Sequence, residues 1–199
     1  MTMFARFASV AALITAAFLA GCYPTIVQPI GSTAPAATDA RLLGGWKAMP
    51  KDKKDSPTYV FFLQRKEGLE ALMVGAPTAG DDGGWMSFAV TGGKLGGNNF
   101  LNGRTLLDDG QPSKDPSKDY TPVFYRFDGK NTLHLYVLGT DAIEAAITKG
   151  QIKGEVKKNS FGDDVRITAD AKAVDAFFAS HDPKTLFTDQ LGEYHRLNQ

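Results

Sequence analysis

Short apolar runs separated by turn residues recur through residues 41–199, and this spacing predicts an antiparallel β meander. The clearest strands fall at 59–63, 69–74, 85–90, 100–107, 123–127, 133–138, 165–168 and 194–197, with further strands at 152–157 and 44–48. Arg65-Lys66-Glu67-Gly68 and Asp128-Gly129-Lys130-Asn131 read as hairpin turns, each with a Gly suited to positive φ. Two stretches carry a helical period instead. In 141–149, Asp141 is the expected cap, Glu144 follows three residues later and Gly150 closes the end; Ile143, Ala146 and Ile147 form its stripe. The second is capped by Asp170, with Ala171, Val174, Phe177 and Phe178 on one side. Stripes this narrow predict helices that cover an edge or end of the sheet. The expected class is therefore mainly β, with two short helices.

The hairpin around residue 130 shows its two faces plainly. Val123, Tyr125 and Phe127 share one face, continued by Leu133, Leu135 and Val137 after the turn, and this is a core face. The other carries Phe124, Arg126, His134, Tyr136 and Leu138, too aromatic for a solvated surface and too polar for a dry interior.

The first 21 residues have a different pattern. Arg6 precedes an apolar stretch from Phe7 to Leu19, too short for a comfortable membrane span but of signal-peptide length. It ends in Leu19-Ala20-Gly21-Cys22, which resembles the lipobox of bacterial lipoproteins. That resemblance implies cleavage before Cys22, a diacylglycerol on its thiol, and attachment of the chain to the cell membrane. Two or more acyl chains hold a protein lastingly where one is marginal. Tyr23 follows the Cys where an Asp would resemble an inner-membrane retention signal, so the outer membrane, periplasmic face, is expected in a Gram-negative host. Residues 23–40 show no sustained period and hold three Pro, which predicts a flexible tether with a reach on the order of 25 Å. The alternative for this segment is an edge strand at Ile26-Val27. The expected organisation is a leader at 1–21, lipidated Cys22 and tether at 22–40, and one β-rich domain at 41–199.

Composition removes several classes of function. Lys+Arg and Asp+Glu both number 22 among 199 residues, so the chain lacks the basic surface that nucleic acid selects. With one Cys, no disulfide framework within the chain and no multi-Cys metal site is available. The run Thr91-Gly92-Gly93-Lys94-Leu95-Gly96-Gly97-Asn98-Asn99 lacks the Ser/Thr, the spacing and the following helix of a phosphate loop. It reads as a long hairpin or bulged connection, or as a glycine-rich lid at a barrel mouth. Asp81-Asp82 and Asp108-Asp109 lack the alternating ligands of a calcium loop. His134, His181 and His195 stand apart without metal-ligand spacing, and no nucleophile elbow is present. No cofactor, metal or catalytic group is expected; an enzymatic reading would need a clustered pair such as His134 with an acid.

Gly44-Gly45-Trp46 forms a Gly-x-Trp on the first strand of the domain, and Glu193-Tyr194-His195-Arg196-Leu197 puts an Arg on the last. With the meander and a helix between them, these features resemble the lipocalin-like (calycin) barrels. The resemblance implies that Trp46 plugs one barrel end and that Arg196 packs across it, a pair that cation–aromatic attraction favours. A second lipocalin motif is missing, and the helix at 141–149 is additional. The chain also resembles uncharacterised bacterial lipoproteins of this size, which implies location but no activity. Two functions follow as expectations. One is a non-catalytic envelope lipoprotein binding a small apolar or lipid-like ligand, with Trp85, Phe88, Phe124 and Tyr136 as lining residues. The other is a protein–protein adaptor or inhibitor module of the envelope. The first needs room inside the barrel.

Overall fold

The computed structural model describes residues 23–32, 39–48, 56–66, 68–77, 83–114, 118–160 and 162–197. Its strands are β1 (Thr25–Ile26), β2 (Gly44–Ala48), β3 (Thr58–Arg65), β4 (Gly68–Gly75), β5 (Gly84–Leu95) and β6 (Asn98–Asp108), then β7 (Gln111–Pro112), β8 (Thr121–Asp128), β9 (Thr132–Val137), β10 (Gly154–Lys157), β11 (Asp164–Ile167) and β12 (Asp189–Arg196). The helices are α1 (Thr140–Thr148), α2 (Ala171–Ala179) and α3 (Pro183–Leu186). Eight antiparallel strands run in the order β5-β4-β3-β2-β12-β9-β8-β6, and β6 pairs back onto β5, so the sheet closes on itself as a barrel. Closure leaves the barrel without an edge strand to protect.

Alternation along the strands fills the interior. Trp46, Val60, Phe62, Leu69, Ala71, Phe88, Val90, Leu101, Tyr125, Leu133, Leu135 and Tyr194 all belong to one buried cluster. The face of Val123, Tyr125 and Phe127 is among them, as the period predicts. Hairpins β3–β4, β5–β6 and β8–β9 turn at one end, and a 3-10 turn, Ala40–Leu42, lies across that end; we call it the capped end. At the opposite, loop end β2, β4, β6 and β9 finish and β3, β5, β8 and β12 begin. The glycine-rich run forms the tip of a long hairpin, one of the two connections expected of it: β5 continues to Leu95, turns in two residues at Gly96 and Gly97, and β6 starts at Asn98.

A second core lies on the outside of the barrel. Phe100, Phe124 and Leu138 point outward from β6 and from the β8–β9 region and meet Ile143, Ile167, Val174, Phe178 and Phe187. β10, β11 and β1 form a separate three-stranded sheet in this layer, with β1 parallel to β11. The mixed face of the β8–β9 hairpin is thereby explained: Phe124 and Tyr136 pair under the layer, while Arg126 and His134 pair beyond it. α3, begun by Asp182 and Pro183, has no counterpart in the periodic reading because it is a single turn. The expected Asp141 cap is corrected as well. α1 begins at Thr140, its N-cap is Gly139, and Asp141 stands in the first turn. Gly139 is held there because its N–H donates to the Leu186 carbonyl (2.8 Å).

The tether expected over 22–40 is corrected for residues 23–32, which fold against the barrel. Ile26 exchanges backbone hydrogen bonds with Tyr120, both 2.9 Å, and Val27 N–H donates to Ile167 O. Ile26 and Ile30 are fully buried in the second core. Ile26 and Ile30 have apolar partners for their side chains and hydrogen-bond partners for their backbones, and the edge-strand alternative at Ile26-Val27 is met by β1 at Thr25–Ile26. Cys22 and residues 33–38 lie outside the described residues.

Candidate functional site

The capped end holds the densest polar chemistry. Arg196 pairs with Trp46 across β12 and β2, and its guanidinium lies 4.2 Å over the indole. The guanidinium also donates to the carbonyls of Leu43 (2.9 Å) and Arg41. The indole N–H donates to Leu42 O at 2.7 Å, so Trp46 fixes the 3-10 turn from below while Arg196 fixes it from the side. Arg41 lies 4.4 Å over Phe127 and is bidentate to Asp39. That hydrogen bonding to Arg41 holds the Asp39 carboxyl below its ordinary range, against a smaller opposing effect of burial. Tyr125, beneath it, is pushed well above the usual phenol value, chiefly by burial and then by the Asp39 charge. Between these groups opens a cleft of about 230 Å³, floored by Leu42, Leu69 and Leu101 and rimmed by Arg41, Lys94 and Asn99.

The four expected lining residues do not meet. Phe88 points into the barrel, where it packs beside Ala71 in the interior cluster. Phe124 and Tyr136 point outward into the second core, 5.9 Å apart. Trp85 stands on the outer face at the loop end, 36% exposed. Periodicity set Phe124 and Tyr136 on the face opposite the core but could not say that a second layer covers that face, and Trp85 and Phe88, three apart on β5, fall on opposite faces. The interior itself is occupied by large side chains, with Trp46 at 0% and Tyr194 at 1% exposure. Gly192 accommodates this filling: a Cβ there would stand 2.8 Å from the Tyr194 ring, which leans along its own strand toward the loop end. Burial, with the nearby Tyr23 adding to it, pushes the Tyr194 phenol up to about 12.

Residues that sequence reasoning missed hold residues 23–32 in place. The Asn102 side chain on β6, 1% exposed, accepts from Ile30 N–H (2.9 Å) and donates to Ile30 O (3.1 Å). Asp175 on α2 accepts from Gly31 N–H at 2.7 Å. Gly93 lies directly below, and a Cβ on it would collide with the Ile30 carbonyl oxygen. The glycine run is thus the bed of this segment. A polar residue on an otherwise apolar outward face, such as Asn102 two residues from Phe100, was the one available signal.

The histidines occupy three separate surroundings. His134 is buried on β9, its ring stacked on Tyr136, and neither ring nitrogen has a hydrogen-bond partner among the described residues. Burial, then the Arg126 charge, lowers its pKa. His195 is exposed, 3.3 Å from Glu193, whose other oxygen is 4.0 Å from His134. His181 ends α2, with Nδ1 2.8 Å from the Phe177 carbonyl, beside an open furrow of about 600 Å³ that Ile152, Lys153, Asp170 and Phe177 also line. Among the described residues no group of three His, Cys, Asp or Glu is placed to hold a metal ion.

Outside the second core, two cross-strand rows toward the loop end of β3–β6 are mainly apolar, and the row beyond them sets Leu63 beside Glu70, Ala89 and Arg104. Tyr59, Val74 and Trp85 form one cross-strand row, and Phe61, Leu72, Ser87 and Leu107 form the next. Leu63 and Leu106, at 42% and 43% exposure, extend it. By fold and surface the chain is an eight-stranded antiparallel barrel with a filled interior, one flank covered by its own second layer and another flank left apolar. Compared with protein-family models, curated proteins and solved structures, it finds no match.

Proposed function

We propose that the chain is a lipocalin-like envelope lipoprotein, attached to the bacterial membrane by a diacylglycerol on Cys22, that acts without catalysis as a docking module for another envelope protein. The filled barrel carries this reading. Trp46, Phe62, Phe88, Tyr125 and Tyr194 occupy the positions where a ligand-carrying barrel keeps its cavity, so the molecule works through its outside. The apolar rows of Tyr59–Val74 and Phe61–Leu72 supply a contact area on that outside, of the kind that marks protein interfaces. The Trp46–Arg196 stack supports the lipocalin-like assignment. Leu19-Ala20-Gly21-Cys22 supports the anchor, and Tyr23 after the Cys favours the periplasmic face of an outer membrane. The balanced charge speaks against nucleic acid as the partner.

A small apolar or lipid-like ligand is the second reading, favoured by the cleft at the capped end. Its leucine floor and its Arg41 and Lys94 rim suit a short chain with an anionic head. The cleft lies below the usual volume of a small-molecule site, roughly 300 Å³ and upward, which ranks this reading second.

A photo-cross-linking residue at Leu63, compared with one at Lys157 on the opposite layer, tests the first reading in cells. One dominant protein adduct from Leu63, absent from Lys157, is expected. Equal adducts from both positions, together with a co-purifying small mass in native mass spectrometry of the mature chain, would replace docking with ligand binding.

A further inference from the structure

The way the chain enters its fold fixes how the barrel must stand on a membrane. Cys22 is covalently next to Tyr23, and consecutive Cα atoms are about 3.8 Å apart. Tyr23 is already folded. Three residues on, Ile26 is locked to Tyr120, which immediately precedes β8 at the loop end. Thr25 is paired with Arg166 of β11. Tyr23 itself lies near Tyr194, whose ring leans toward the same end. From there the segment runs along the outside of β6, past Asn102, to Gly31 over Gly93 near the capped end. The residue that carries the proposed lipid is therefore joined by a single peptide bond to a segment packed at the loop end.

That end also exposes apolar side chains. Trp85 opens β5 and Leu106 lies in the bulge of β6 that faces it, and the two segments are joined by Asp109, which accepts from Trp85 N–H at 2.8 Å. Trp is the side chain most at home at the level of lipid headgroups, because its ring is large, apolar and carries one N–H. Among the described residues, exposed charges on the adjoining segment are of both signs, Asp108 and Asp109 with Lys114.

We infer that the loop end of the barrel rests on the bilayer that holds the acyl chains of Cys22, with Trp85 and Leu106 at headgroup level and the capped end directed away from the membrane. The inference rests on the lipoprotein reading above. Strands of eight residues at about 3.3 Å each, tilted by roughly 40° in a closed barrel, put the capped end and its cleft roughly 20 Å farther from the lipid than the loop end. A domain on a long tether would present all its sides equally; this one presents the capped end and the apolar flank at a fixed height.

The two tryptophans provide the test, since Trp46 is fully buried at the capped end and Trp85 is exposed at the other. The mature chain, produced with its own leader and lipidated, is placed in phosphatidylcholine–phosphatidylethanolamine vesicles whose acyl chains are brominated close to the headgroup. Bromine quenches only at short range. The expected result is loss of the Trp85 emission with Trp46 emission kept, abolished both by Trp85→Phe and by ten Gly/Ser residues inserted between Cys22 and Tyr23. The intact mass of the chain reports the diacylglycerol independently. A lipidated, vesicle-bound chain whose Trp85 is unquenched overturns the orientation and leaves the lipoprotein reading standing. A chain whose Cys22 carries no lipid overturns both.

Discussion

Replacing Asn102 by Ala removes the one side chain that clamps both backbone groups of Ile30. In the folded chain its amide accepts from Ile30 N–H at 2.9 Å and donates to Ile30 O at 3.1 Å, in a spot shielded from water. Without it, a buried N–H and a buried C=O lose their partners, each at a cost of about 1–3 kcal/mol. The sum, roughly 2–6 kcal/mol, is a large share of what a domain of this size holds in total, about 5–15 kcal/mol. The loss is local: the barrel keeps its strand pairing, while residues 23–32 open more readily. Hydrogen exchange resolves this by peptide. In Asn102→Ala the amides of Ile26, Val27 and Ile30 are expected to exchange about 30-fold faster or more, the factor corresponding to about 2 kcal/mol, while those of β3 and β4 keep their rates. Asn102→Asp keeps the acceptor for Ile30 N–H but sets an oxygen against Ile30 O, so at neutral pH it is expected to be no better than Ala. Protection of residues 23–32 unchanged in both variants would refute the assignment of Asn102 as their clamp.

Arg196→Lys keeps the charge over Trp46 but loses the fork that reaches both Leu43 O and Arg41 O, so thermal unfolding of the capped end is expected to fall by about 1–2 kcal/mol; no shift would deny the stack a structural role. His134 has its pKa lowered by burial, so the folded chain keeps it neutral where the unfolded chain takes up a proton, and stability falls as the pH drops below about 6.5 toward the lowered folded value. His134→Phe is therefore expected to flatten the acid side of the stability profile in denaturant titrations across pH 5–7. An unchanged slope would mean that His134 is not the group responsible.

Much of the fold was legible because strands advertise themselves by a period of two. The β8–β9 hairpin was readable down to its faces, and the pairing of Trp46 with Arg196 followed from a family resemblance carried by three residues on the first strand and one on the last. What could not be read was what covers an outward face. Phe124 and Tyr136 look like cavity lining in sequence because an aromatic residue opposite a core face has two explanations, a ligand or a second layer. The residues that decide between them, Ile26, Ile30 and Phe187, are distant in sequence and show no period of their own. For the same reason Asn102 and Asp175 had no linear signature: each is a single polar residue whose purpose appears only when a segment from the other end of the chain arrives.

The contacts that seat Gly31 and Ile30 join residues separated in sequence by 144 and 72 positions. The segment 23–32 therefore has no place to bind until β6 and, later still, α2 exist. Long-range closures of this kind come late in folding because their loop entropy is met before any contact rewards it. On the anchor proposed for Cys22, the unfinished domain would hang from the twenty-one residues that precede Gly44, and the last contacts would take that length in. On that proposal, completion of folding and arrival at the lipid surface would be one event, and a chain that has not finished its barrel would be kept at a distance from the bilayer that a finished one is not.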